Sequence, residues 1–323
     1  MRYVVIGAGA VGCSIGGKLH ESGHEVVLVA RGAQATALRA DGLRLITPQG
    51  TLHLDIPVAT GPDEVDLRPD DVLVLTTKTQ DSAAALRAWS PRPVAGATAG
   101  QVLPVVTAQN GVANERMALR HFRQVQAVCL MLPATYLTPG EVIATAAPYT
   151  GMLTIGRYPH GHDDTTEAIA ADLEKANLPA PVVPRVMRWK YAKLLANLAN
   201  AIDAVTGGPV PALRDLAVAE GREVLAVAGI DCATEEEFVQ LRGGMVVSQD
   251  MPGAGGSSSW QSVVRGTGVE TDYLNGEIVA LGRLHGIETP VNEALLVAVH
   301  ESVRTGRSPG GLTAAELAAR IGR

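Results

Sequence analysis

The chain has 323 residues, 46% apolar and 19% charged, with a net charge of -6. That length suits two domains with a sizeable core, and the composition excludes a disordered chain. The acidic balance argues against a nucleic-acid partner, and no apolar run reaches the ~18 residues of a membrane span, so we expect no membrane contact and a cytoplasmic location.

Tyr3–Ile6 reads as a short buried strand, Val11–Glu21 as a helix closed at Ser22-Gly23, and Glu25–Ala30 as a second β-branched run. Together they make a βαβ unit of about 30 residues. Gly42–Thr47 and Thr51–Val58 look like a strand pair around Pro48-Gln49-Gly50. Asp71–Thr77 is strongly apolar, as a central parallel strand would be. A helix is expected over Gln80–Trp89 and a strand over Val102–Ala108, ending at Gln109-Asn110-Gly111. Val125–Leu132, Glu141–Ala147 and Met152–Ile155 fit a mixed or antiparallel extension of the sheet, and Asp163–Ala176 a helix. Pro179, Pro181 and Pro184 then break the chain. Beyond them strand signals almost vanish. Val186–Val205, Pro211–Ala228, Thr234–Val247, Val269–Leu284 and Val291–Glu301 read as helices, interrupted by the GAGGSSS loop, and 308–323 as a short appended helix. The expected fold is α/β, with a Rossmann-type dinucleotide-binding domain over 1–184 and an all-helical domain over 185–323.

The first turn carries the spacing G-x-G-x-x-G over Gly7, Ala8, Gly9, Ala10, Val11 and Gly12. In such a turn the first glycine permits the bend and the second admits a pyrophosphate to the backbone. The third lets the helix pack closely, and its N-terminus offers free N–H groups to phosphate. An NAD site has an acid at the end of the second strand to accept from the ribose diol. Here Arg31 stands there, and a guanidinium suits a 2'-phosphate. NADP (NADPH) is therefore expected over NAD. Lys78 and Gln80 follow the Asp71–Thr77 strand and are placed near the adenosine side. Asn110 follows the next strand and is placed nearer the nicotinamide.

In RWKYAKLLANLANAID, a helical wheel centred on Lys193 puts Asn197 near about +40°, Asn200 near about -20° and Lys190 near about +60°. One face thus holds two lysines and two carboxamides, and either lysine could be the proton donor. Glu270 and Asp272 begin a further helix, where acids also complement the helix dipole. Cys13, Cys129 and Cys232 are widely spaced with no C-x-x-C pair, so neither a metal site nor a disulfide is expected.

The ordered motifs are GAGAVG, the arginine of LVARG, TKTQD, QNGVANE, YLTPGEV with GMLTIG, KLLANLANA, and SSSWQ followed by ETDYLNGEIVALGRLHGIETPVN. In this order the chain resembles the ketopantoate reductase (2-dehydropantoate 2-reductase) family, over nearly its whole length except the C-terminal tail. The resemblance implies an NADPH-dependent reduction of a 2-keto acid, ketopantoate first among candidates, and a place in pantothenate biosynthesis. It implies Lys193 as general acid, Glu270 holding the substrate hydroxyl, and Ser258 binding the carboxylate. Asn110 would orient the lysine and the nicotinamide, and Asn197 would bind substrate, with Asn200 beside it. The sequence departs from the family pattern at three places. Asn200 falls one residue early, with Ala201 where the second asparagine usually stands. Trp189 precedes Lys193 by four residues rather than two. Ser262 replaces an acid after the serine loop. An NADP-binding sensor without turnover, and a dehydrogenase of a different keto or imine substrate, stay open on these grounds. A homodimer through the helical domain is a further expectation.

Overall fold

The computed structural model describes residues 1–321. The chain forms two compact units, Met1–Lys190 with Glu236–Ala254, and Tyr191–Glu235 with Gly255–Arg323. This division lies six residues beyond the proline-marked boundary at 184/185 and adds an excursion, for two local reasons. Lys190 sends its ammonium into the first unit, where its side chain is 2% exposed. And Val246–Ser248 forms a strand paired antiparallel with Ala146–Pro148, where a helix over Thr234–Val247 was expected. The helix there is shorter, Glu235–Arg242.

The first unit is built on a seven-stranded sheet. Its order is Met152–Arg157, Gln124–Met131, Pro104–Thr107, Asp71–Leu75, Arg2–Ile6, Val26–Val29, Val58–Ala59. All neighbours are parallel except Met152–Arg157, which runs antiparallel to Gln124–Met131. All five residues of Arg2–Ile6 and of Asp71–Leu75 are buried, because both faces are covered. The side chains alternate accordingly. Tyr3, Val5, Val72 and Val74 pack with Ile15 and Leu19 of the helix Ala10–Glu21 and with Ile169 and Leu173 of Asp164–Lys175. Val4, Ile6, Leu73 and Leu75 face the other way, onto Leu86 and Trp89 of the helix Thr79–Trp89 and onto Phe122. A four-stranded sheet, in the order Ala134–Thr135, Glu141–Ala144, Leu43–Thr47, Gly50–Leu54, adds Leu43, Leu45, Val142 and Ala144 to the first of these cores. The strand order reverses at Arg2–Ile6. The chain leaves it for Val26–Val29 on one side and returns to Asp71–Leu75 on the other. The carboxyl ends of those two central strands frame the crevice where doubly wound sheets take ligands.

Three helices in this unit have no counterpart in the sequence reading, Gly32–Asp41, the single turn Ala99–Val102 and Asn114–Leu119. The second unit is helical. Its buried aliphatics include Leu194, Leu198, Ile202, Val224, Ile278, Leu295 and Val299. Gly221 lets the helix Pro211–Val227 come close, since a Cβ there would stand 2.6 Å from Leu195 Cδ2. The stretch Val186–Val205 is two helices, Val186–Asn197 and Asn200–Thr206. The break has a partner: the carbonyl of Leu198 accepts from Asn275 Nδ2 at 3.1 Å. Asn275 Nδ2 also donates to Asn292 Oδ1 at 3.0 Å, and Asn292 Nδ2 donates to Glu220 Oε2 at 2.8 Å. Among the described residues no helix is long and apolar enough to cross a membrane, and no group of His, Cys, Asp or Glu could hold a metal ion.

Candidate active site

The three glycines of the first turn are required by three different things. Gly7 has φ +113°, and a Cβ on it would lie 2.7 Å from the Thr77 nitrogen. A Cβ on Gly12 would overlap the Gly7 carbonyl oxygen and stand 2.7 Å from Thr76 Oγ1. Gly9 is different. Its backbone is open to any residue, with φ -90°, and a Cβ on it would meet nothing within 4 Å. No neighbour in the protein explains a glycine there, whereas a pyrophosphate lying against the backbone does. The helix Ala10–Glu21 that follows has no side-chain cap and no acid in its first turn. Its leading N–H groups and the positive end of its dipole are thus left for an anion. The residues present fit a dinucleotide.

The turn is held from behind. Gly7 and Ala8 donate their amides to Val29 O at 3.1 and 2.9 Å, and Thr76 Oγ1 donates to Gly7 O at 2.8 Å. Gln34, on the unforeseen helix Gly32–Asp41, donates from Nε2 to Ala8 O at 2.9 Å and accepts the Gly140 amide on Oε1 at 2.8 Å. Nothing local in the sequence marks it. The same amide lies 3.6 Å from Cys13 Sγ. Burial pushes that thiol up to about 12, against the opposing pull of the Gln34 bond, so Cys13 is an inert core residue.

Arg31 stands at the N-cap of that helix, just past the strand Val26–Val29. Its side chain is exposed and makes no ion pair among the described residues. Lys78 occupies the N-cap of the helix Thr79–Trp89, with Gln80 exposed in its first turn. Gln109 ties this turn to the next. Its Nε2 donates to Ser82 Oγ at 2.9 Å and to Thr77 O at 3.2 Å. Asn110 follows, half-buried, and Asn114 Nδ2 donates to Thr79 Oγ1 at 3.1 Å. Gly7, Gly9, Gly12, Lys78, Gln80 and Asn110 therefore gather at the carboxyl ends of three adjacent parallel strands.

Lys190 leaves the polar stripe to which the wheel assigned it. Its Nζ lies 2.6 Å from Glu115 Oε1, 3.0 Å from Gln109 O and 3.2 Å from Val128 O. An ammonium has three N–H donors, and all three are taken by this unit's own acceptors. Lys190 is not free to protonate a substrate.

In the second unit, Lys193 and Asn197 sit one turn apart on the helix Val186–Asn197, with Asn197 6% exposed. Asn200 follows after a two-residue break. It opens the next helix, and its carbonyl accepts from Ser257 Oγ at 3.4 Å. The glycine-serine stretch is a fastened loop. Ser257 N–H donates to Asp203 Oδ2 at 2.7 Å, and Ser257 Oγ caps the helix Ser258–Val264 by accepting from Trp260 N–H at 3.2 Å. Gly256, at φ +67°, leaves the room that the Trp260 indole fills. Ser258 is half-buried in the first turn. Ser262 is fully buried and donates to Ser258 O at 2.9 Å, so it does not take the role of an acid. Glu270 is 7% exposed and begins a 3-10 turn, Glu270–Tyr273, rather than the regular helix expected. Asn275, just after it, is the residue that catches Leu198 O.

The comparisons with known proteins agree across both units. A family model described as ketopantoate reductase PanE/ApbA matches residues 3–160, and its C-terminal companion matches 185–303. The chain is 30% identical over 325 residues to a 2-dehydropantoate 2-reductase of Halobacterium salinarum, covering 95% of this chain and all of that one. Among solved structures, a PanE/ApbA family ketopantoate reductase from Ralstonia eutropha JMP134 superposes with TM-score 0.78 at 29% identity, over 95% of this chain and 100% of that one. A D-mandelate dehydrogenase solved with NADH and anilino(oxo)acetate shares the fold, with TM-score 0.78 at 22% identity over 95% and 99% of the two chains.

Proposed function

The chain belongs to the ketopantoate reductase family, and from that membership we propose that it reduces a 2-keto acid to the 2-hydroxy acid with NADPH. 2-Dehydropantoate, which gives pantoate, is the leading substrate. The observation that carries the reading is Gly9: a glycine that neither backbone nor neighbour demands, at the foot of an uncapped helix, with family motifs following in order.

The residues would divide the work as follows. Gly7, Ala8, Gly9, Ala10, Val11 and Gly12 cradle the pyrophosphate with backbone N–H groups. Arg31 faces the 2'-phosphate, which its donors match and a ribose diol does not. Lys78 and Gln80 line the adenosine side, and Asn110 meets the nicotinamide. When bound, the reduced nicotinamide supplies the hydride that the keto carbon gains. Negative charge then builds on the carbonyl oxygen, and Lys193 stabilises and protonates it there. Glu270 accepts from the hydroxyl so formed. Ser258 donates to the carboxylate, and Asn197 and Asn200 offer carboxamides to the rest of the substrate. Lys193 is favoured over Lys190 because the three protons of Lys190 are already engaged.

The test is NADPH oxidation, followed by its near-ultraviolet absorbance, against 2-dehydropantoate and a panel of other 2-keto acids. Strong preference for 2-dehydropantoate is expected. Turnover of a different acid keeps the chemistry and changes the substrate. Tight NADPH binding with no turnover of any acid overturns the reading in favour of a sensor.

A further inference from the structure

The buried pair Lys190–Glu115 is not used by the chemistry above, yet it sits beside it. Both side chains are cut off from solvent, at 2% and 0% exposure. Burying two charges is costly, and an apolar pair of similar volume is commonly as stable or more so. Glu115 is moreover incompletely satisfied. Its Oε1 serves Lys190 and accepts from Thr107 Oγ1 at 2.8 Å, while its Oε2 is buried without a partner. Gln109 Oε1 and Asn114 Oδ1 are also buried and unpartnered, so this short segment holds three of the eight such atoms among the described residues. Unpaired buried acceptors are costly. A fold selected only for stability would not concentrate them here.

What the pair holds is the peptide in front of Asn110. Lys190 Nζ donates to the Gln109 carbonyl at 3.0 Å. That carbonyl and the Asn110 N–H belong to one planar group. The Gln109 side chain is pinned separately, by Ser82 and Thr77. With both ends of Gln109 fixed, the plane entering Asn110 has one orientation. We propose that Lys190 is a positioning residue for the reduction: neutralised by Glu115, it sets the Gln109–Asn110 peptide and through it the direction of the Asn110 carboxamide. The proposal rests on the reading of Asn110 as the group that meets the nicotinamide.

The test compares Asn110→Ala, Lys190→Arg and the double variant Lys190→Met/Glu115→Gln with the parent chain. Four quantities are read: thermal midpoint, NADPH affinity by fluorescence without keto acid, kcat against KM, and the isotope effect with NADPH deuterated at the transferred position. The double variant leaves no buried charge, so its midpoint stays close to that of the parent. Its KM and NADPH affinity are also expected to hold, while kcat falls about 10- to 100-fold, as for a reacting group displaced by a fraction of an ångström. The isotope effect grows as hydride transfer becomes limiting. Full kcat in the double variant beside an impaired Asn110→Ala overturns the positioning role alone. Full kcat in Asn110→Ala overturns the reading of Asn110 and the proposal with it. Should the double variant not fold, Lys190→Arg decides. It keeps the charge but not the three-way ammonium geometry, and parent-like kcat in it overturns the proposal.

Discussion

Lys190 Nζ lies 2.6 Å from Glu115 Oε1, on side chains 2% and 0% exposed. The two lie 75 positions apart in the chain. Removing the acid alone leaves a buried ammonium with only carbonyls around it. Glu115→Ala is therefore expected to destabilise the chain by about 3–5 kcal/mol, the cost of breaking a buried pair. Denaturant unfolding monitored by tryptophan fluorescence measures it. A loss below 1 kcal/mol, as at an exposed pair, would mean that the ammonium finds solvent.

Gly9 and Gly12 separate binding from folding. Gly9→Ala places a methyl in open space, and as an N-cap change it costs at most about 1 kcal/mol of stability. The same methyl stands where a pyrophosphate is proposed to lie, so NADPH affinity is expected to fall by about tenfold or more. Gly12→Ala drives its methyl into the Gly7 carbonyl and costs about 1–3 kcal/mol by overpacking. Titration calorimetry with NADPH and thermal unfolding distinguish the two. Equal stability losses in both variants would remove the cofactor argument from Gly9.

Arg31→Ala is expected to weaken NADPH by about 1.5–3 kcal/mol, the worth of a hydrogen bond to a charged group, and to leave NADH unchanged. The measurement is kcat/KM for each cofactor. Parallel losses with both cofactors would take the 2'-phosphate away from Arg31.

Lys193→Ala is expected to lower kcat by about 10²- to 10⁴-fold, the range for a positioned general acid, with NADPH binding retained. Turnover near the parent rate would leave the proton to come from another donor. Lys190 does not replace it, since its three N–H groups are committed.

Asp163 supplies a pH dependence. Burial pushes its carboxyl up, but the Thr166 amide and hydroxyl, then Arg157 and Gln126, outweigh that and hold it below the ordinary value. A carboxyl depressed on folding contributes stability above its unfolded value, about 3.9, and loses it as pH falls through the lower folded value. The same carboxylate caps the helix Asp164–Lys175, accepting from Thr166 N–H at 2.9 Å. Asp163→Ala is thus expected to cost about 1 kcal/mol near neutral pH, the difference narrowing below about pH 4. Unfolding free energies across that range check it. A difference constant with pH would mean that the protonated carboxyl caps the helix as well as the charged one.

The local part of this protein was legible from its sequence. Runs such as VLVL and VVLV are buried on both faces, so their apolarity marks them as parallel strands before any partner is known. The glycine turn is likewise a matter of adjacent residues. Most of the omissions are long-range. The helix from Val186 stops at Asn197 because Leu198 gives its carbonyl to Asn275, a residue 77 positions away. The strand Val246–Ser248 exists because Ala146–Pro148 is beside it. The helix Gly32–Asp41 buries only Gln34, Ala35 and Leu38, too few apolar positions to show a period. Lys190 and Lys193 look equivalent on a wheel. The geometry that tells them apart is long-range: Glu115, on a helix with no sequence signal, and the carbonyls of Gln109 and Val128 engage Lys190.

The excursion Glu236–Ala254 also bears on how the protein is made. The ladder between Ala146–Pro148 and Val246–Ser248 joins two stretches with about a hundred residues of nascent polypeptide between them. During synthesis the glycine turn and the seven-stranded sheet can assemble once Arg157 has cleared the ribosome. The last ladder of the same unit waits for Ser248, by which time the helices Asn200–Thr206 and Pro211–Val227 have already emerged. The two units are therefore interleaved in translation, and a fragment ending at the first division would carry an unpaired edge at Ala146–Pro148.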